Sequence, residues 1–163
     1  MQIVVSDTSP IRALKHLGLL ELLPALFSRV IVPPAVIAEL ARGSGILPAI
    51  TVADFPFFET AIPIGRVELE QLLDVLDIGE AEAILVATEM GADAVLIDEE
   101  DGRRMAQERG LRTIGTIGIL LQAKSLGHIA VIRPLLDALR HELKFFISRP
   151  LYQKAIQLAG ESA

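Results

Sequence analysis

Ile3-Val4-Val5-Ser6-Asp7-Thr8-Ser9-Pro10 is the stretch from which the fold can be read. Ile3 to Val5 is a short apolar β-branched run, the composition of a strand. Thr8-Ser9-Pro10 then opens a helix, with Ser9 placed as its N-cap and Pro10 at the first helical position. A strand that passes straight into a helix begins a strand-helix-strand unit, which leaves Asp7 at the strand's carboxyl end.

The alternation continues outward from there. Leu14, Leu17, Leu19, Leu22, Leu23 and Leu26 recur at helical spacing, broken at Gly18, and lead to a strand at 30–32. Pro33-Pro34 ends that strand and starts a helix at 35–41. Residues 43–65 are rich in Gly and Pro and read as loop, with one weak strand near 50–52. Helices at 67–76 and 79–90, a strand at 94–97, a helix at 102–109, a strand at 112–114 and a helix at 117–126 follow. Two amphipathic helices, 131–144 and 150–159, complete the chain. Strands separated by helices imply right-handed crossovers and a mainly parallel sheet covered on both faces, an α/β fold.

A length of 163 residues fills one core and leaves no room for a second, so a single domain over 1–163 is expected. Hydrophobic residues make up 52% and charged residues 22%, with mean hydropathy +0.50, a balance that excludes a disordered chain and a membrane span. Cysteine is absent, which excludes disulfides, thiolate metal sites and cysteine nucleophiles. The N-terminus has no basic region and reaches Asp7 after a few apolar residues, so a signal peptide is not expected and a cytoplasmic location is. Net charge is −6 but unevenly spread: residues 67–101 hold twelve acids and no Lys or Arg, whereas 102–163 hold four acids and ten bases. Such a chain concentrates carboxylates in one place and can meet phosphates with another.

In a parallel sheet the site lies off the carboxyl ends of the strands, where Asp7 and Asp98 both fall. Either acid alone is a common helix cap; two at equivalent strand ends point to a shared site. Glu39 lies over Val36 and Ala35 on the apolar side of its helix, where a carboxylate needs a partner. Glu80 and Glu82 share a helix but face about 200° apart, so they cannot do the same work. Glu80 shares its stripe with Leu76, Ile84 and Ala87, whereas Glu82 shares one with Glu89 that reads as a solvated face, which selects Glu80 and keeps Glu82 in reserve. Asp7, Glu39, Glu80 and Asp98 would form an all-oxygen cluster, which cannot stay ionised without a cation and selects Mg²⁺ or Mn²⁺. Such a site suits phosphodiester hydrolysis. Removing one of the four charges, as in Asp98→Asn, should then raise the melting temperature. The three histidines are too widely spread to make a ligand pair, and Thr116 stands in a tight turn near a helix N-terminus.

Val4-Val5-Ser6-Asp7-Thr8-Ser9, the stretch from Val32 to Leu40 around Glu39, Gly79-Glu80-Ala81-Glu82-Ala83-Ile84, Val95-Leu96-Ile97-Asp98 and Ile114-Gly115-Thr116 occur in an order that resembles the PIN-domain family of metal-dependent ribonucleases. The likeness is greatest to small prokaryotic PIN proteins related to the VapC-type toxins, and it spans about 2–126; the C-terminal helices at 131–159 receive no role from it. It implies a three-layer α/β/α sandwich and an acidic quartet that binds Mg²⁺ or Mn²⁺ to cut single-stranded RNA. Asp7, Glu39 and Asp98 carry over directly. The third acid, usually Asp, falls on Glu80, with Glu82 and Asp101 as reserve ligands. Ser9 carries over as the small hydroxyl residue that orients Asp7 or touches phosphate, and Thr116 as a further orienting or substrate residue. A homodimer and an antitoxin partner are implied as well, with no membrane association. The competing reading is a PIN scaffold turned into a nucleic-acid-binding or protein-interaction module. A haloacid-dehalogenase-type phosphatase is disfavoured because Ser9 stands where its second Asp belongs. Aromatic residues are only 4%, so RNA would be held by phosphate contacts rather than base stacking.

Overall fold

The β-branched run near the start forms β1 (Gln2–Ser6), the middle strand of a sheet in a computed structural model that describes residues 2–162. The chain then runs through α1 (Thr8–His16), α2 (Leu22–Leu26), β2 (Phe27–Val32) and α3 (Pro34–Arg42). After a long connection come β3 (Phe58–Thr60), α4 (Arg66–Leu73), α5 (Ile78–Met90), β4 (Ala94–Leu96), α6 (Glu100–Glu108) and β5 (Arg112–Ile114). Helices α7 (Thr116–Ser125), α8 (Arg133–Glu142) and α9 (Arg149–Leu158) follow. The strands lie in the order β3-β2-β1-β4-β5, and every pairing is parallel.

Alternation along β1 divides the core. Val4 packs with residues of α1, α2, α3, α7, α8 and α9, while Val5 packs with residues of α4, α5 and α6 on the opposite face, which makes three layers. The strand order means that the chain builds β1, β2 and β3 outward on one side and then returns to lay β4 and β5 on the other. The switch in direction falls between β1 and β4, and a crevice opens beyond their carboxyl ends. The Asp7 amide donates to the Leu96 carbonyl at 2.9 Å, so the residue after β1 is tied to the end of β4. Among the described residues no helix is long and apolar enough to cross a membrane.

Three local expectations need correction. The first helix begins at Thr8 with Asp7 at its N-cap position, so Ser9 lies inside its first turn and is not the N-cap. The strand expected near 50–52 is absent: Ile50 and Val52 are buried from irregular backbone, and Val52–Asp54 is a single 3-10 turn. The third strand forms instead at Phe58–Thr60 on the sheet edge, where half-exposed and exposed side chains leave no apolar run to read.

Glu82 is the third correction, because it is buried rather than solvated. Helix α5 is covered from Gly79 to Ala87, so neither of its glutamate stripes faces water until Thr88. The Glu82 Oε1 accepts the Ala35 amide at 2.8 Å in the first turn of α3. That helix begins Pro33-Pro34, and Pro33 cannot offer a side-chain cap. An acid borrowed from α5 therefore satisfies its N-terminus and fixes the helix that carries Glu39. Glu82→Ala should lower unfolding stability by about 1–3 kcal/mol in denaturant titration, and Glu82→Gln, which keeps the acceptor, should lose much less.

Candidate acidic centre

Asp7 leaves β1 into the crevice with only 5% of its surface exposed. Glu39 reaches the same place from α3, held by the Thr8 hydroxyl, which donates to Oε2 at 3.0 Å. Arg12 sets the other side of Glu39, with Nη1 3.7 Å from Oε1 and Nη2 donating to the Glu39 carbonyl at 2.9 Å. Asp77 completes the group from the N-terminus of α5. A Cβ placed on Gly79 would lie 3.1 Å from Glu39 Oε2, 3.3 Å from Asp7 Oδ1 and 3.5 Å from Asp77 Oδ1. Three carboxylate oxygens from three elements thus surround one point, and only glycine leaves it open. A cleft of about 260 Å³ lies over Asp7, Ser9, Glu39, Asp77 and Glu99, with Phe145 from beyond α8 in its wall.

Glu80 stands beside this group. Asp77 and Glu80 form a capping box: the Glu80 amide donates to Asp77 Oδ1 at 2.9 Å and the Asp77 amide to Glu80 Oε1 at 3.3 Å. The second oxygen, Oε2, is buried without a hydrogen-bond partner. Gly102 of α6 leaves space for it and for the Ile97 side chain, since a Cβ there would run into Ile97 Cδ1 and lie 2.8 Å from Oε2. Glu80 opens into an adjoining cleft with Glu99, Glu100 and Asp101. Asp101 itself is exposed and paired with Arg104 at 3.2 Å.

Asp98 has a different environment from the other acids. Its Oδ1 accepts the Thr116 amide at 2.7 Å, and its Oδ2 accepts the hydroxyls of Thr116 at 2.8 Å and Ser9 at 2.9 Å. It therefore seals the N-terminus of α7 and is oriented by both hydroxyl residues, while Ser9 links it to the helix that follows Asp7. Ser9 thus orients Asp98 and not Asp7. The four acids read from sequence are not gathered around one point: Asp7 and Glu39 meet, Glu80 adjoins them, and Asp98 is joined through Ser9. Asp77 occupies the remaining position near Gly79. Its signal was the spacing Asp77-x-x-Glu80, which marks a helix N-terminus one residue before the start read at Gly79.

The crowding is visible in proton affinity. Burial pushes the Asp7 carboxyl up to about 8 against the pull of the Thr8 amide, and Asp77, Glu80 and Glu39 add to the rise. Burial, then the Asp77 charge, pushes Glu80 up to about 7. Each binds a proton in the folded chain that the unfolded chain has released, so stability falls as pH rises from about 4 to about 8. Among the described residues no three Asp, Glu or His side chains stand arranged to hold a metal ion. The donor chemistry nevertheless fits a hard divalent cation: oxygen only, buried and crowded, with one carboxylate oxygen unpartnered.

Asp7→Asn should raise the melting temperature at pH 8 and flatten the decline between pH 4.5 and 8, measured by calorimetry without divalent ions. Asp98 has donors for neighbours, so the gain expected from relieving repulsion at that position does not apply. Asp98→Ala should cost about 2 kcal/mol, and Asp98→Asn should give no increase in melting temperature.

A family model described as "PIN domain" matches residues 3–161, which takes in α8 and α9 as well as the span of the motifs. No curated protein and no solved structure matches the chain. The parallel sheet in three layers, the acids beyond β1 and β4, and a match over nearly the whole length agree, and the chain belongs to the PIN domain family.

Proposed function

We propose that the protein is a metal-dependent endoribonuclease that hydrolyses phosphodiester bonds of single-stranded RNA. PIN domains are generally nucleases and usually use divalent metals. The observation that carries the reading is the set of carboxylate oxygens from Asp7, Glu39 and Asp77 around Gly79, at the mouth of the crevice between β1 and β4. Mg²⁺ or Mn²⁺ bound among these acids would lower the pKa of water and stabilise charge on the scissile phosphate. Asp7, Glu39 and Asp77 are the residues that would hold it, with Glu80 adjoining.

The chain's own groups prepare that chemistry. Thr8 and Arg12 fix Glu39, so its carboxylate is presented without further ordering. Ser9 and Thr116 hold Asp98 as a fixed negative wall. Arg12, at the edge of the cleft, is a cation that can meet a phosphate oxygen. Burial pushes the Glu80 carboxyl up to about 7, so a cation held in the crevice would favour its ionised form. In a cell, such an activity suits the toxin of a toxin-antitoxin pair, with an antitoxin protein as partner. The competing reading, a scaffold that binds without cutting, is supported by the lack, among the described residues, of three acids already arranged to hold a metal ion.

Purified protein should cleave single-stranded RNA with Mn²⁺ and not with EDTA, and millimolar Mn²⁺ should raise its melting temperature. Asp7→Asn and Glu80→Gln should each lower cleavage by about 100-fold or more while remaining folded. Glu82→Gln should change it little, because its role is to hold α3. Equal cleavage by all three variants and wild type would assign the activity to a contaminant and leave the binding scaffold. An inactive Glu82→Gln beside an active Glu80→Gln would transfer the third position to Glu82.

The protein is also proposed to be a homodimer. Ile62, Ile64, Val67, Val75 and Ile78 expose apolar surface between β3 and α5. Light scattering at tens of micromolar should give twice the chain mass, and a monomer would overturn this.

A further inference from the structure

Helices α8 and α9 open with the same three residues, Arg133-Pro134-Leu135 and Arg149-Pro150-Leu151. A basic residue in the first turn opposes the helix dipole, so two such openings in succession call for a reason. Both arginines face one cleft of about 330 Å³, together with Arg140 two turns further along α8 and Tyr152 of α9. None of the three arginines forms an ion pair among the described residues. Arg133 Nη2 is buried with no hydrogen-bond partner. The Arg140 guanidinium lies over the Tyr152 ring, 4.8 Å from its centre. Asp137, the acid on this face of α8, accepts the Tyr152 hydroxyl at 2.8 Å. Three guanidinium groups thus share a cleft with positive charge in excess, and their N–H forks match the oxygens of a phosphate.

We propose that this cleft is a phosphate-binding site that grips the backbone of a single-stranded RNA whose continuation enters the acidic centre. The inference rests on the nuclease reading, because that reading creates the need. Residues 67–101 carry twelve acids and no Lys or Arg, and the whole chain is at −6, so the acidic centre repels the polyanion it would act on. Affinity has to come from another part of the surface. The first turn of α9 borders both regions: Arg149 and Tyr152 line the arginine cleft, while Leu151 lines a cleft of about 460 Å³ that reaches Asp98 and Arg103. A strand held at the arginines is therefore within the first turn of α9 from the cleft that leads to Asp98. An acidic peptide would satisfy the same guanidiniums, but the acids beyond offer it nothing.

The test is binding of a short fluorescent single-stranded RNA in EDTA, followed by anisotropy over a range of salt. Arg140→Gln/Arg149→Gln removes two exposed cations and leaves the partly buried Arg133. Loss of two phosphate contacts should make the slope of log K against log salt shallower by about 1.4, and affinity about 25-fold weaker near 0.1 M salt. Arg42→Gln/Arg112→Gln, an equal loss of exposed charge elsewhere, should change both much less. Equal effects of the two double variants, no effect of the first, or no RNA binding by wild type would overturn the proposal. So would an oligoglutamate peptide that binds through these arginines when RNA does not. Cleavage by wild type beside Asp7→Asn reports on the nuclease reading separately. RNA bound at the arginines without cleavage keeps the cleft and removes the nuclease; cleavage with an unaffected double variant does the reverse.

Discussion

Carboxyl groups crowded and buried at the junction of β1 and β4 are the constraint to which the rest of the molecule answers. Asp7 is almost wholly enclosed, with Glu39, Asp77 and Glu80 close enough to raise its proton affinity. A fold optimised for stability alone would not gather acids there. What holds them is a set of local devices: the Thr8 hydroxyl and Arg12 on Glu39, and the reciprocal capping bonds of Asp77 and Glu80. Glu39 is fixed from α1, and Asp77 and Glu80 by each other at the start of α5, so the crowded carboxyl groups do not disperse.

Glycine at 79 and at 102 is part of the same arrangement. One leaves open the point that three oxygens surround, and the other leaves room for the unpartnered oxygen of Glu80. Neither has a backbone conformation that demands glycine, since neither is among the residues at positive φ. Their reason is space, so the sequence Asp77-Ile78-Gly79-Glu80 carries the cap, the gap and two acids in four residues.

The alternation of strands and helices was legible because a parallel sheet buried on both faces requires apolar runs separated by helical periodicity. Asp7 and Asp98 were legible for the same reason, as acids where strands stop. What was hidden depended on neighbours distant in sequence. Glu82 aligns with Glu89 on a helical projection, but α3 covers it, and only the pairing of two helices 47 residues apart shows that it is a cap. Asp98 read as a member of the repelling set, whereas its partners are Ser9 and Thr116, 89 and 18 residues away. The strand at Phe58–Thr60 escaped because an edge position needs no apolar pattern. Asp77 was missed by one residue of helix boundary.

The order of the strands also determines when the acidic centre can exist. β1 is made before its partner β4, which lies about 90 residues later, and Asp98 gains its donor amide only with Thr116. Asp7 and Glu39 can be brought together early through α1 and α3, but Asp77, Glu80 and Asp98 arrive only with the second half of the chain. A nascent chain that stops before Thr116 therefore lacks part of the acidic centre, and translation itself delays that centre until the sheet can close around it.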